Sequence, residues 1–195
     1  MTKYGLPEEV VFCKRCVLSN QRPSSRPEHK HTPGQAATYM HIDDEGVCDA
    51  CRQAEVKAAT DWDARRAELS DLCDQHRRED GRYDCIVPGS GGKDSVVAAH
   101  VLRDEFGMHP LTCTWPPLLY TDYGRRNFER WAHDFDNVAV KPAGGTHATL
   151  TRLAVENLLH PFQPFILGQK NLAPKVAVDY DVPLVFYGEN EAEYG

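Results

Sequence analysis

Residues 90–95 (Ser-Gly-Gly-Lys-Asp-Ser) combine small, flexible and charged side chains in an order suited to holding phosphate. Glycine lets the backbone approach an anion closely, so that successive backbone N–H groups can converge on it. A helix that starts directly after the glycines would turn the positive end of its dipole toward the same point. Lys93 adds a mobile positive charge, and Ser90 and Ser95 add hydroxyl donors. We therefore predict a phosphate-binding loop and prefer this to a chance glycine turn before a surface helix.

Two familiar nucleotide-binding patterns do not fit this loop. A Walker A loop has four residues between its first glycine and a Gly-Lys pair that Ser or Thr follows. Here Gly91 and Gly92 are adjacent and Asp94 follows the lysine, and the third glycine of a Gly-x-Gly-x-x-Gly pattern is missing. The six residues instead resemble the pyrophosphate-binding loop of the PP-loop ATP pyrophosphatases. Those enzymes cleave ATP between its α and β phosphates and adenylate a carbonyl oxygen of the substrate.

This resemblance implies a role for each residue of the loop. The backbone N–H groups, Lys93 and a Mg²⁺ ion on ATP would offset the charge that builds on the β and γ phosphates. Ser90 and Ser95 would hold phosphate oxygens, and Asp94 would orient the loop or the metal. The residues expected to bind ATP and pyrophosphate are Ser90, Gly91, Gly92, Lys93, Asp94 and Ser95, and the last three are the expected catalytic residues.

Two Cys-x-x-Cys hooks near the N-terminus supply four thiols, which are Cys13, Cys16, Cys48 and Cys51. Two residues between the cysteines let both sulfurs of a hook reach one ion, and four thiolates complete a tetrahedron around Zn²⁺. We therefore predict a closed structural zinc site, since no position is left for water. An iron–sulfur cluster is one alternative. The other is a mixed site in which a histidine replaces a cysteine, with the candidates His29, His31 and His41.

Three further stretches are expected to border the nucleotide. The end of the second predicted strand, at Thr114 and Trp115, would contact adenine through backbone groups, as the resemblance implies. Residues 160–170 suggest a stiff loop with a polar face for a small ligand, and a structural crossover fits them equally well. Residues 186–194 would bring Gly188 beside ATP, and their acidic groups would orient substrate or hold Mg²⁺, unless they only start a helix. The expected substrate-binding residues are Gln163, Gln169, Lys170, Glu189 and Asn190.

Several motifs together resemble the N-acetyl sugar amidotransferase family of PP-loop enzymes over nearly the whole chain. They are Phe-Cys-x-x-Cys-Val, Gly-Val-Cys-x-Ala-Cys, the loop, Thr-Trp-x-Pro, His-Pro-Phe-Gln-Pro-Phe and Tyr-Gly-Glu-Asn-x-x-Glu-Tyr-Gly. The resemblance implies that the N-acetyl group of a bacterial surface sugar, as in lipopolysaccharide or O-antigen biosynthesis, becomes an acetamidino group. Ammonia would come from a separate glutaminase paired with a cyclase-like subunit. The long loop between the hooks departs from the family pattern.

Two rival functions fit parts of the same pattern. A tRNA-thiolating PP-loop enzyme also joins cysteine hooks to this loop, but it needs a basic face and usually a catalytic cysteine pair. The net charge of −7, and only Cys85 and Cys113 as candidates, count against it. The second rival is a nucleotide-binding module that has lost catalysis. The retained Lys93, Ser90 and Ser95 count against that one.

Composition limits where the protein works and with what. No apolar run approaches the ~20 residues of a membrane span, and the N-terminus lacks a secretory signal. We therefore expect a cytoplasmic protein with no membrane partner, and the acidic balance argues against nucleic acid as a partner. Seven cysteines, an odd number, then indicate metal ligands or buried thiols rather than a disulfide frame.

Alternating strand and helix patterns must position these groups. Strands are predicted at residues 83–88, 109–115, 137–141 and 182–187. Helices are predicted at 52–80 with a restart near Thr60 or Asp61, from the loop to about residue 106, at 122–135 capped by Asp122, at 146–159 capped by Thr146, and near 171–180. Such alternation implies an α/β fold with a doubly wound parallel sheet, as in PP-loop (adenine nucleotide alpha hydrolase-like) domains, with ligands at the carboxyl ends of the strands.

The sequence also divides into three segments of different character. They are a Cys₄ metal-binding unit at residues 1–52, a connecting helix at 53–82 and a PP-loop domain at 83–195. A PP-loop domain normally has at least one more strand and helix than this chain offers. We therefore expect a C-terminally incomplete form of a longer protein, or one that a partner completes.

Overall fold

The computed structural model describes residues 5–23 and 38–189, and it divides the chain into two units within one helix. The first unit extends to Arg65 and contains both cysteine hooks, and the second is Arg66–Glu189. Among the described residues, no helix combines the length and the apolar character that a bilayer crossing requires. In chain order the elements are α1 (Asp49–Ala59), α2 (Trp62–His76), β1 (Cys85–Pro88), α3 (Lys93–His100) with a π-helical continuation (Val101–Glu105), β2 (Pro110–Thr114), α4 (Asp122–Asp134), β3 (Asn137–Ala139), α5 (Gly144–Leu158) and α6 (Gln163–Asp179).

Backbone hydrogen bonds close both hooks of the first unit. Cys13 N donates to Leu18 O at 2.8 Å, and Gly46 N donates to Asp43 O at 2.8 Å. Gly46 has a φ of +80°, which glycine adopts without the steric cost that a Cβ brings. Helix α1 starts directly after Cys48, so the last cysteine lies in its first turn. The predicted restart between α1 and α2 is confirmed, and Asp61 caps α2 by accepting from Ala64 N at 2.9 Å.

The second unit is built on a parallel sheet of three strands in the order β1-β2-β3. Ile86 pairs with Leu111, and Cys113 pairs with Val138. On the opposite edge of β1, Ile86 N donates to Leu184 O and Phe186 N donates to Ile86 O, both at 2.9 Å. The described part of the chain is thus a mixed α/β structure with a small parallel sheet.

Alternation along the strands directs apolar side chains to two cores, one on each face of the sheet. Cys85 and Val87 lie on the face that α2, α3 and α4 cover, and the other buried members of that core are Cys73, Ala99, Leu102, Phe106, Met108, Trp131 and Phe135. Ile86 points to the opposite face, where α6 packs, and the other buried members there are Leu111, Cys113, Leu172, Ala173, Val176 and Val182. Helices therefore cover both faces of the sheet.

Four sequence predictions need correction. Residues 182–187 form an isolated parallel bridge between Val185 and Ile86 rather than a strand. The cap of α4 is Thr121, whose Oγ1 accepts from Gly124 N at 3.1 Å, and Asp122 is the first helical residue. The cap of α5 is Ala143, so Thr146 lies inside that helix. Most of the loop predicted at residues 160–170 is the beginning of α6.

Candidate functional site

The predicted phosphate loop connects β1 to α3, and the residue before it, Gly89, is fastened to β2. Gly89 N donates to Cys113 O at 2.9 Å. In return, the hydroxyl of Thr114 donates to Gly89 O at 2.6 Å. The chain therefore leaves the sheet at its carboxyl edge, and both the N–H and the C=O of Gly89 are hydrogen-bonded to β2.

Two glycines of this segment are needed because the backbone passes very close to other atoms. A Cβ added to Gly89 would lie 2.4 Å from the Cβ of Ser95. Gly91 has a φ of +82°, and a Cβ there would lie 2.3 Å from the carbonyl oxygen of Asn127 in α4. A Cβ added to Gly92, by contrast, would meet no atom of the described chain within 4 Å. The open side of the loop is therefore at Gly92, where a ligand has room to approach.

The start of α3 has no side-chain cap. Gly92 is the N-cap residue, and its carbonyl accepts from Val96 N at 3.1 Å. Because glycine has no side chain, it cannot accept hydrogen bonds from the first-turn N–H groups, as Ser, Thr, Asp or Asn would. A helix start of this kind, next to open space, is suited to an anion.

The charged side chains of the loop lie outside and its second serine lies inside. Lys93 Nζ is 2.5 Å from Asp94 Oδ1, and the Lys93 side chain is 87% exposed. Ser95 is buried, and its hydroxyl donates to Gly92 O at 3.1 Å. A hydroxyl has one hydrogen, so in this conformation Ser95 can only accept from a further partner. Its predicted bond to a phosphate oxygen stays a prediction.

Gly188 lies against the beginning of α3. A Cβ on Gly188 would be 2.7 Å from the Asp94 carbonyl carbon and 2.7 Å from Ser95 N. The structure thus brings this predicted ATP-binding residue to the loop, and it does so through the parallel bridge of Val185 to β1. Glu189 is exposed beyond it, and Asn190 lies outside the described residues.

Trp115 and Gln163 line the same cavity at the carboxyl edge of the sheet, on the face that α6 covers. The cavity encloses about 660 Å³, and leucines of α5 and α6 supply much of its wall. A Cβ on Gly168 would lie 2.1 Å from the Trp115 ring, so glycine is what lets the indole lie on α6. Of the other predicted substrate residues, Gln169 and Lys170 do not line this cavity. The apolar wall was missed from sequence, although the leucine spacing in residues 150–158 was a usable signal.

A buried polar chain behind the loop was also missed. Asn137 Nδ2 donates to Thr112 Oγ1 at 2.8 Å and to Thr114 Oγ1 at 3.1 Å. Thr112 Oγ1 donates in turn to Asp136 O at 2.8 Å. Threonine at alternate positions of an otherwise apolar, fully buried strand was the signal that could have revealed it, because buried hydroxyls need partners.

The four hook cysteines form one cluster in the first unit. All four sulfurs lie within 4.8 Å of one another, and Cys13 and Cys48 are buried. Cys13 Sγ is 3.9 Å from Cys51 Sγ, and Cys16 Sγ is 3.6 Å from Cys48 Sγ. Sulfurs that are each about 2.3 Å from a tetrahedral zinc lie about 3.8 Å apart. The residues present therefore fit a closed structural zinc site. His41 pairs with Asp49 at 3.2 Å, and His29 and His31 lie outside the described residues.

Hydrogen bonds shift the pKa values of two of these thiols, Cys13 and Cys51, in opposite directions. The backbone N–H of Arg15 donates to Cys13 Sγ at 3.3 Å and, with that of Cys48, lowers the pKa of Cys13 to about 6. The sulfur of Cys16 raises the pKa of Cys51 to about 12, and burial acts in the same direction. Four crowded sulfurs therefore resist losing all their protons together, and a divalent cation bound there would supply the compensating charge.

The remaining three cysteines, Cys73, Cys85 and Cys113, are core thiols. They are at most 1% exposed. Burial raises the pKa of Cys85 and of Cys113 to about 12, and it also raises the pKa of Cys73. A nucleophilic cysteine needs an accessible thiolate, so none of the three has the environment of a reactive residue.

Comparison with known proteins adds one partial likeness. No family model matches the chain. A curated protein of Methanocaldococcus jannaschii, "Uncharacterized protein MJ1599", is 32% identical over 65 residues, which are 33% of this chain and 23% of that protein. The chain thus matches it over less than a quarter of its length, and its name states no activity.

Proposed function

We propose that the chain binds ATP at the loop of residues 90–95 and transfers the adenylyl group to a carbonyl oxygen, as a PP-loop amidotransferase. The observation that carries the proposal is the loop itself. It has the six-residue PP-loop sequence, it lies between a parallel strand and a helix start, and Gly188 packs against Asp94 and Ser95. Its open side at Gly92 adjoins the uncapped first turn of α3.

We also propose that the sheet is part of a doubly wound PP-loop domain. The chain moves from β1 through β2 to β3 and then returns to pair Val185 with the free edge of β1. Ligands of open α/β sheets bind at the carboxyl ends of the strands, at the position where the strand order reverses. In the proposed domain that position would be the loop and Gly188.

In the proposed reaction the amide oxygen of an N-acetyl sugar attacks the α-phosphorus of ATP. The bond between the α and β phosphates breaks, and pyrophosphate leaves with its electron pair. Backbone N–H groups of the loop and Lys93 would hold the β and γ phosphates, and Mg²⁺ bound to ATP would neutralise part of their charge. Ammonia then adds to the imidate carbon, AMP leaves, and the product is an amidine after loss of one proton. Positioning and electrostatics suffice for this transfer without a general base.

The sugar acceptor rests on the resemblance of residues 160–170 and 186–194 to the amidotransferase motifs. Gln163, which lines the same cavity as Trp115, supports it, because an amide can both donate to and accept from an N-acetyl group. No nucleophilic cysteine for a glutaminase is evident among the described residues, so ammonia from a partner glutaminase is part of the proposal. The Cys₄ cluster would hold a structural zinc.

The core thiols weigh against the tRNA-thiolating alternative. That chemistry needs a cysteine that carries sulfur, and Cys85 and Cys113 are fully buried with raised pKa values. The second alternative was a nucleotide-binding module without catalysis. The loop of residues 90–95 keeps Lys93 exposed at its surface, which weighs against that alternative.

Product analysis of the purified 195-residue chain tests the proposal. We expect AMP and pyrophosphate in equal amounts only when ATP, ammonium and an N-acetylated nucleotide sugar are all present. Lys93→Ala should abolish this release, whereas Lys57→Ala, a matched change in the first unit, should leave it intact. Release that depends on tRNA and a sulfur donor, or no nucleotide binding at all, would refute the proposal.

A further inference from the structure

A chain of hydrogen bonds joins the loop to the first residue of β3. Asn137 Nδ2 donates to Thr114 Oγ1 at 3.1 Å, and Thr114 Oγ1 donates to Gly89 O at 2.6 Å. Thr114 is 1% exposed. Water therefore does not compete for its hydroxyl, and a hydrogen bond in such surroundings is electrostatically stronger than one in water.

Fixing the Gly89 carbonyl also fixes the next backbone N–H. Across a trans peptide the C=O and the following N–H point in opposite directions, and the described chain has no cis peptide. The bond from Thr114 therefore determines which way the N–H of Ser90 points. Ser90 is the first residue of the predicted phosphate-binding loop.

We propose that Thr114 and Asn137 are positioning residues, which hold the Ser90 N–H in the direction that phosphate binding requires. This inference rests on the proposed ATP-binding function of the loop. It gives the Thr114 side chain a role distinct from the predicted backbone contact with adenine. The Thr114 carbonyl already accepts from Val140 N at 3.1 Å.

An amide at position 137 has a specific consequence for the direction of these bonds. Asn137 gives one hydrogen to each of two threonine hydroxyls, so each hydroxyl keeps its own hydrogen for a backbone carbonyl. Thr112 gives its hydrogen to Asp136 O, and Thr114 gives its hydrogen to Gly89 O. A carboxylate at 137 cannot donate. It would accept the hydrogen of Thr114 and remove it from Gly89.

Four variants of the 195-residue chain separate positioning from general stability. Thr114→Val removes the hydroxyl with little change of shape, whereas Thr114→Ser keeps a hydroxyl at this position. Asn137→Asp redirects the hydroxyl. Thr112→Val is the matched control, because Thr112 is equally buried and bonds to Asn137 but donates to Asp136 instead of the loop.

The first measurement is the ratio of ATP to AMP affinity by calorimetry, because only ATP carries the β and γ phosphates. We expect Thr114→Val and Asn137→Asp to reduce this ratio about tenfold, the worth of one good hydrogen bond. Thr114→Ser should keep the ratio, and Thr112→Val should keep it even where its melting temperature falls. A general loss of packing would lower the melting temperatures of the variants but would not lower the ATP-to-AMP affinity ratio selectively in Thr114→Val and Asn137→Asp.

The second measurement needs no ligand. Amide hydrogen exchange of residues 89–95 should speed up in Thr114→Val and Asn137→Asp but not in Thr112→Val. If the wild-type chain binds no ATP while exchange follows this pattern, the proposed function fails and the anchoring of the loop stands. If ATP binds and neither the affinity ratio nor exchange responds, the positioning inference is wrong.

Discussion

Adjacent glycines of the loop should respond to the same substitution in opposite ways. Gly91 has a φ of +82°, and its missing Cβ would lie 2.3 Å from Asn127 O, which is a backbone atom of α4. Gly92 is the N-cap of α3 with a φ of −71°, and nothing in the described chain lies within 4 Å of its missing Cβ. Gly91→Ala should therefore destabilise the fold. Gly92→Ala should leave the fold intact but place a methyl group where phosphate is proposed to bind.

The expected free energies of unfolding follow from these two environments. At Gly91, the left-handed backbone costs a side chain roughly 1–2 kcal/mol, and displacing α4 adds roughly 1–3 kcal/mol, so the loss is about 2–5 kcal/mol. At Gly92, the stiffer unfolded chain gains about 0.4–1 kcal/mol, and alanine is a poorer N-cap by roughly the same amount. The net change at Gly92 should be within about 1 kcal/mol.

Urea unfolding followed by circular dichroism measures both values, and calorimetry with ATP measures binding at a temperature where both variants are folded. We expect Gly91→Ala to lower the urea midpoint and Gly92→Ala to keep it. ATP affinity of Gly92→Ala should fall by at least about tenfold. Equal loss of stability in the two variants would show that the loop does not have the described backbone. Unchanged ATP affinity in Gly92→Ala would show that phosphate does not bind on that side.

Three further outcomes test other parts of the molecule. Elemental analysis should find one zinc per chain, and Cys48→Ser should lose it. A full zinc content in that variant would show that Cys48 is not a ligand, and iron in the wild type would contradict zinc as the metal. The core thiols should not react with a thiol reagent at pH 8 until the chain is unfolded, and fast labelling of Cys73, Cys85 or Cys113 in the native protein would refute their burial. The Arg103 guanidinium holds the pKa of Asp104 at about 2, below the unfolded value of about 3.9. This carboxylate should therefore stabilise the fold above about pH 5 and lose that effect as pH falls toward 2. Melting temperatures of wild type and Asp104→Asn should differ at pH 7 and converge as the pH approaches 2, and a gap that widens in acid would refute the ion pair.

Elements with strong local signals could be predicted from the sequence. In the helix predicted at 122–135, Phe128, Trp131 and Phe135 are spaced to lie on one face, and the last two are buried against the strand face that carries Val87. Strands β1, β2 and β3 also fall inside their predicted ranges. The two hooks predicted a four-thiol cluster because ligand spacing in such sites is a local property.

Two of the four errors occurred where proline was given the wrong meaning. Residues 160–170 were predicted as a loop because they contain two prolines, but Pro164 lies in the first turn of α6, where its missing N–H has no intrahelical partner to lose. Residues 182–187 were predicted as a strand although Pro183 cannot donate to a ladder. Only Leu184 and Phe186 exchange hydrogen bonds with Ile86, which leaves a single bridge. Local composition does not reveal which N–H groups a tertiary neighbour will use.

Long-range contacts, by contrast, determine how the loop is built. Thr114, which is distant in sequence, holds the carbonyl of Gly89 just before the loop, and Gly91 packs against the backbone of Asn127. The Gly92 carbonyl is held locally, by Ser95 and Val96 of the helix that follows. Lys93 is different, since its side chain is exposed and its ion pair with Asp94 lies at the surface. Surface pairs of this kind contribute only about 0–1 kcal/mol, so exchanging the ion pair with Asp94 for one with a phosphate would cost little. Binding would then require a small rearrangement of one side chain, while the backbone N–H groups need no reorganisation. If the proposed function holds, a loop that combines fixed donors with one movable charge would hold the leaving pyrophosphate and then release it.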